Sequence, residues 1–149
     1  MSDYDIDILT WSERQAALLR RMGAGERVND QVDWENVAEE VESVGRSQLA
    51  QGKSLLVQAI VHMLKAQAWP HSRDVPHWRA EARGFRGDAA DIFTPSMRQR
   101  IDVAELYARA LQRLPERIDD QEPLPVPDQC PVTLDDLLSD DAGAAPARA

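Results

Sequence analysis

Five carboxylates lie within ten residues around a tryptophan in the stretch VDWENVAEEVESVGRS, residues 32–47. Carboxylates on one helix and an imidazole on the next can bind a divalent cation inside a helical bundle. His62 lies in the most apolar stretch of the chain, and Lys65 follows it by three residues. The candidate cluster for a metal site or a hydrolytic reaction is therefore Asp33, Glu35, Glu39, His62 and Lys65.

The spacing of these residues also gives an alternative interpretation. A Glu-x-x-His pair is absent, and Lys65 stands where a second ligand to the metal would be useful. At about 100° per residue, Glu35, Glu39 and Glu42 line one flank of an apolar stripe, where solvated or salt-bridged acids are typical. We therefore expect no catalytic, cofactor-binding or metal-binding residue, and keep the cluster as the alternative.

Three arginines, Arg79, Arg83 and Arg86, recur at helical spacing opposite a seam that begins at Trp78. They would suit a patch for phosphate or for a partner's carboxylates, because guanidinium offers a planar pair of donors. Pairing with the acidic flank of residues 35–42 is favoured, because the chain itself supplies the complementary charge. Aromatic residues do not alternate with these arginines, as a single-strand binding surface would need.

Motifs for nucleophilic or phosphate chemistry are lacking. Cys130 follows a proline-rich segment without a neighbouring base, which predicts a packing or incidental thiol. The sequence contains neither a G-x-S-x-G turn nor a G-x-x-x-x-G-K-[ST] phosphate loop.

The apolar spacing is helical throughout and predicts an all-α fold, a small bundle of four to five helices. The predicted helices are 10–22, capped by Thr10 with Glu13; 33–45, capped by Asp33; a central helix over 48–69; 76–92; 94–114, capped by Thr94; and one short turn after Thr133. The apolar stripes of the second and third helices differ by roughly 100°, which predicts a kink or break between Gly45 and Gly52.

Helical spacing also predicts which side chains of residues 33–45 enter the core. These are Trp34, Val37, Ala38, Val41, Val44 and Gly45, which fall in one narrow stripe.

The domain organisation expected is a helical bundle over residues 1–118 and an acidic tail over 119–149. The tail is proline-rich and extended, and either packs on the bundle or is partly disordered, with AGAAPARA at its end expected to fray. Its CPVTLDDLLSDD segment either covers an end of the bundle or binds in the groove of another protein or a second subunit.

The charge pattern excludes some partners. The chain has a formal net charge of -9, and residues 118–149 carry 8 acids against 1 base. Such a chain is repelled by phosphate, so binding to nucleic acid is disfavoured and no membrane association is expected. Cys130 is the only cysteine and the first residues are acidic, so we expect a cytoplasmic protein without a secretory signal.

Five blocks of the sequence together span residues 4–140: YDIDILTWSERQAALLR, VDWENVAEEVESVGRS, VHMLKAQAWP, HWRAEAR and QCPVTLDDLLSD. In this order they resemble a bacterial family of uncharacterised proteins, domain-of-unknown-function family 29. The second block is the most specific. The resemblance implies a small, mainly helical domain, and it brings no established activity and no catalytic residue.

Two classes of function remain open. The first is a non-enzymatic interaction or regulatory module that binds a protein partner or forms a homo-oligomer, indicated by the acidic face and the apolar acidic tail. The alternative is a metal-binding or hydrolytic enzyme that uses the Glu/His cluster between helices.

Overall fold

In a computed structural model the chain is described over residues 2–139. This part of the chain forms six α-helices and no strand: α1 Asp3–Ile6, α2 Ile8–Gly23, α3 Trp34–Ala68, α4 Val75–Ile92, α5 Val103–Gln112 and α6 Leu134–Leu138. Two 3₁₀ turns, Asn29–Gln31 and Pro95–Gln99, lie between them. The all-α class predicted from the sequence is confirmed. None of the helices over residues 2–139 is both long and apolar enough to cross a membrane.

The chain divides into two compact units, Met1–Ser47 and Gln48–Ala149. The domain boundary expected at residue 118 stays a prediction. The AGAAPARA end, residues 142–149, lies outside the described residues.

The first unit contains α1, α2, the turn Asn29–Gln31 and the first turns of α3. Its small core is formed by Leu18, Val28 and Val32, with Met22 and Val37 packed against them. The predicted Thr10 cap of α2 is wrong, because the helix begins earlier, at Ile8, and its cap is Asp7. The Asp7 carboxylate accepts hydrogen bonds from both the amide and the hydroxyl of Thr10, at 3.0 and 2.7 Å.

Helix α3 is continuous from Trp34 to Ala68, so the predicted break between Gly45 and Gly52 is wrong. Glycine permits a break in a helix but does not impose one. Gly45 has open space around it, whereas Gly52 is buried and an added Cβ there would lie 3.7 and 3.9 Å from the side chains of Met97 and Ile92. The rotation between the two apolar stripes therefore does not require a break in the helix.

The second unit has a larger core. Its buried apolar residues come from α3, α4, α5, α6 and the segment between α4 and α5: Leu56, Val57, Ile60, Leu64, Ala89, Met97, Ile101, Leu106, Tyr107, Ala110 and Leu137. A second cluster around Trp69 and Trp78 contains Ala66, Ala68 and Val75. Helix α3 ends at Ala68, two residues before Pro70, the proline predicted to end it.

The helix predicted over residues 94–114 is two elements instead of one. A 3₁₀ turn, Pro95–Gln99, is followed by α5, which begins at Val103. Asp102 has extended backbone angles, and its carboxylate accepts from the amide of Ala104 at 3.0 Å. A capping residue has non-helical backbone angles, so the single helix predicted over residues 94–114 is interrupted at Asp102.

The short helix α6 begins after Thr133, the predicted cap. The Thr133 hydroxyl accepts from the amide of Asp136 at 3.1 Å, and the Asp136 carboxylate accepts from the amide of Thr133 at 2.8 Å. This reciprocal pair satisfies two of the free amides at the helix start. It sets Leu137 in the core of the second unit, where it is almost completely buried.

Candidate functional site

Asp33 is the centre of a hydrogen-bond network in the first unit. Its carboxylate oxygen Oδ2 accepts from the indole of Trp11 at 3.0 Å and from the side-chain amide of Asn36 at 2.8 Å. Its own amide donates to the side-chain oxygen of Gln15 at 2.8 Å. The hydrogen bonds from Asn36 and Trp11 lower the pKa of Asp33. The Asp33 carboxylate, one of the five candidate groups, is therefore hydrogen-bonded to side chains of its own unit.

Glu40 makes the second set of polar contacts. The hydroxyl of Tyr4 donates to Glu40 Oε1 at 2.6 Å, and the Ser43 hydroxyl donates to the Glu40 carbonyl at 2.9 Å. The hydrogen bond to Glu40 raises the pKa of Tyr4, because the carboxylate stabilises the protonated phenol. The ring of Tyr4 also packs edge-on against Trp11, with centroids 4.9 Å apart.

These contacts define which side of α3 faces the rest of the first unit. Taking Trp34 as zero, Asn36, Glu40 and Ser43 lie near 200°, 240° and 180° at about 100° per residue. All three are partly buried and hydrogen-bonded. The inward side of α3 in this unit is therefore predominantly polar.

The opposite side of the same turns is apolar and open to solvent. Trp34 is 50% exposed, Val41 68% and Val44 65%, and Ala38 and Gly45 are also exposed. We call these five residues the outer apolar face. The core positions predicted for them are wrong; of the predicted stripe only Val37 packs against the core of this unit. The indole of Trp34 donates to the carbonyl of Asn29 at 2.8 Å, which fixes the ring in this position.

Acidic side chains border the outer apolar face. Glu35, Glu39 and Glu42 are all exposed along one flank. Arg46 pairs with Glu39 at 2.6 Å and with Glu42 at 3.4 Å. The arginine that pairs with these acids is therefore Arg46 of the same helix. The pairing predicted for Arg86 is wrong, because its guanidinium binds backbone carbonyls in its own unit; the pairing of Arg79 and Arg83 stays a prediction.

His62 and Lys65, the other two candidates, are partly buried in the second unit. His62 Nδ1 lies 2.8 Å from the carbonyl oxygen of Gln58, and since a carbonyl only accepts, this nitrogen carries the proton. The His62 ring packs against Phe85 with centroids 5.4 Å apart. The ammonium of Lys65 lies 5.1 Å from the ring centre of Trp78, a cation–π contact.

The five candidate residues are thus divided between the two units. Asp33, Glu35 and Glu39 belong to the first, and His62 and Lys65 belong to the second. Over residues 2–139, no group of three or more histidine, cysteine, aspartate or glutamate side chains is arranged to hold a metal ion. The cluster as a joint site stays a prediction.

Arg86 has a structural role that sequence spacing missed. It lies about 80° from Trp78 around α4, on the buried side of the helix, and is only 8% exposed. Its guanidinium donates to the carbonyl oxygens of Asp136, Leu137 and Ser139 at 2.8, 3.0 and 3.3 Å. Arg86 therefore binds the backbone at the end of α6.

Two concave surfaces occur in the second unit. One, of about 410 Å³, is bordered by residues 68–73 and by residues 118–124. The other, of about 480 Å³, lies between α5 and residues 128–132 and includes Cys130. Burial raises the pKa of the Cys130 thiol, which keeps it protonated and unreactive. This agrees with the packing role predicted for Cys130.

Comparison with known proteins identifies the family of this chain. The sequence profile described as Domain of unknown function DUF29 matches residues 4–142. The chain belongs to the DUF29 family. The family name states no activity, and none of the curated proteins matches the chain.

A solved structure agrees with the fold of this DUF29 chain. It is an alpha-helical protein of unknown function from Rhodospirillum rubrum, with 28% sequence identity and a TM-score of 0.66. The match covers 99% of this chain and 97% of the other. Neither comparison indicates an enzymatic function.

Proposed function

We propose that this DUF29 chain is a non-enzymatic protein-interaction module and that it binds through the outer apolar face. The observation that carries the proposal is the inverted polarity of α3 in the first unit. Asn36, Glu40 and Ser43 take the inward positions, and the large apolar side chains of Trp34 and Val41 are exposed. Helices of globular proteins ordinarily place these two classes the other way round.

The hydrophobic effect favours burial of the outer apolar face by a partner. Fully burying an apolar side chain of this size contributes about 1.5–3 kcal/mol. Covering Trp34, Val41 and Val44, each half or more exposed, would therefore contribute about 3–5 kcal/mol in total. A gain of this size is ample for an interface core, and contiguous exposed apolar residues commonly mark such interfaces.

The internal hydrogen bonds explain why the helix does not rotate to bury this face. Turning Val41 inward would remove Glu40 from Tyr4 and Asp33 from Trp11. Each of these bonds involves a charged acceptor, which makes it stronger than a neutral one. The polar network thus holds the apolar side chains outward, in position for a partner.

A cytoplasmic location and the absence of nucleic-acid binding are part of this proposal. The single thiol Cys130 suits a reducing compartment. The formal net charge of -9 opposes binding to phosphate backbones.

Photo-crosslinking in the native host tests the proposal. A photoreactive amino acid at Val41 should crosslink the chain to protein in a discrete band, because the partner covers this position. The matched control is Leu124, in the second unit, which is 52% exposed and should give no such band. Equal crosslinking at both positions, or none at either, would contradict the proposal.

A further inference from the structure

We infer that the partner presents a basic amphipathic helix to the outer apolar face; this inference rests on the function proposed above. The face has the dimensions of a helix-binding surface. Its ends, Trp34 and Gly45, are eleven residues apart, or roughly 16 Å along α3. Three turns of a partner helix span that distance, and helices commonly recognise one another through such apolar stripes.

The acidic side chains beside the outer apolar face favour a partner with positive charge. Glu35, Glu39 and Glu42 border it, against one arginine, Arg46. Over residues 2–139, no ion pair involves Glu35. A helix with lysines or arginines beside its apolar stripe would place positive charge along this flank, which raises the association rate and excludes acidic competitors.

The same charges disfavour a second copy of the chain. Residues 1–47 carry 11 acidic side chains and 5 arginines. Two copies related by a two-fold axis with antiparallel α3 helices would place the flank of Glu35, Glu39 and Glu42 against its own equivalent. Like charges brought together at an interface oppose association. A basic partner meets no such repulsion.

Synthetic peptides of about 18 residues, five helical turns, provide a direct test. One peptide has leucine at every third or fourth position and lysine elsewhere. The second replaces every lysine with glutamate, and the third has the composition of the first in an order that destroys the apolar stripe. Binding of each labelled peptide to the full chain is measured by fluorescence anisotropy.

The lysine peptide should bind at least about tenfold more tightly than either of the other two, and more weakly as salt is raised. Val41→Asp should weaken its binding about tenfold. This substitution adds negative charge, so attraction by charge alone would strengthen binding of the same peptide. The control Leu124→Asp, at a residue of similar exposure to Trp34, should leave the affinity unchanged.

Several results would overturn the inference: equal or tighter binding of the glutamate peptide, equal binding of the scrambled peptide, or unchanged affinity in Val41→Asp. Light scattering that shows a dimer disrupted by Val41→Asp would also overturn it, in favour of a second copy. If crosslinking at Val41 succeeds while the peptides fail, the choice of a basic helix is wrong and the interaction module stands. If both fail, both proposals are wrong.

Discussion

The sequence predicts the position of Asp33 in the fold but not all of its hydrogen-bond partners. Its place directly before α3 follows from the sequence, because an acidic residue before an apolar helical pattern is a common cap. Its bond to Asn36 is local, between residues three apart, whereas its bond to Trp11 depends on the position of α2 beside the start of α3. A sequence pattern gives no sign of the bond to Trp11, and the same is true of the contact from Tyr4 to Glu40.

Asp33 should contribute to the pH dependence of the free energy of unfolding. Its pKa is lowered in the folded chain, so its stabilising contribution is present above its ordinary value of 3.8 and is lost as the pH falls through the folded pKa. Asp33→Asn should lose less stability than the parent chain between about pH 5 and pH 3. Urea unfolding at several pH values measures this, and identical acid dependence in both proteins would contradict the assignment.

Arg86 should contribute strongly to the stability of the second unit. Arg86→Met keeps an apolar side chain of similar length but removes the donors to three backbone carbonyls. Because the site is buried, the loss should be about 2–4 kcal/mol in the free energy of unfolding. Arg83→Met, at an exposed arginine of the same helix, should change it by less than about 0.5 kcal/mol. Similar values for the two variants would show that Arg86 does not hold α6.

At the scale of elements, α3 shows that a sequence pattern predicts which residues share a side of a helix but not which side is buried. The helical period predicts which side chains share one side of α3, because the positions of side chains around a helix are fixed by geometry. Whether a stripe is buried depends on what packs against it. Near Val41 the inward side of the helix is taken by hydrogen-bonded polar residues, so the periodic pattern gave the wrong face for Trp34, Val41 and Val44.

Two valines of α3 provide a matched test of this reversal. Val41 is 68% exposed and Val57 only 1%. Val41→Asp should change the free energy of unfolding by less than about 0.5 kcal/mol. Val57→Asp should cost more than about 3 kcal/mol or prevent folding, because it buries an unpaired charge. Circular dichroism during urea unfolding compares them, and an equally large loss for Val41→Asp would place Val41 in a core.

The continuity of α3 can be tested at Gly45. Gly45→Ala should stabilise the chain by about 0.5–1 kcal/mol, because alanine favours the helix and a methyl group meets open space. The control is Gly25→Ala, also in open space but at a φ of +95°, which should cost about 1 kcal/mol. Destabilisation by Gly45→Ala would indicate that the helix ends or bends there.

On the scale of the whole molecule, the chain combines a well-packed second unit with a first unit that leaves apolar side chains uncovered. In the second unit His62, Lys65 and the buried Arg86 make internal contacts. The first unit has a hydrogen-bonded polar network on the side of α3 opposite the outer apolar face. The helical spacing of apolar residues predicted the fold class and the five sequence blocks predicted the family, but the location of the outer apolar face is visible only from the contacts of α1 and α2 with residues 33–40.

The most direct test of the central claim is the accessibility of Val41 with and without a partner. In a Cys130→Ser background, Val41→Cys should react with a maleimide about as fast as Leu124→Cys, because both positions are more than half exposed. Addition of the leucine–lysine peptide should slow labelling at position 41 about tenfold and leave position 124 unaffected. Slow labelling of Val41→Cys in the isolated chain, or labelling that the peptide does not slow, would contradict an outward face that a basic helix covers.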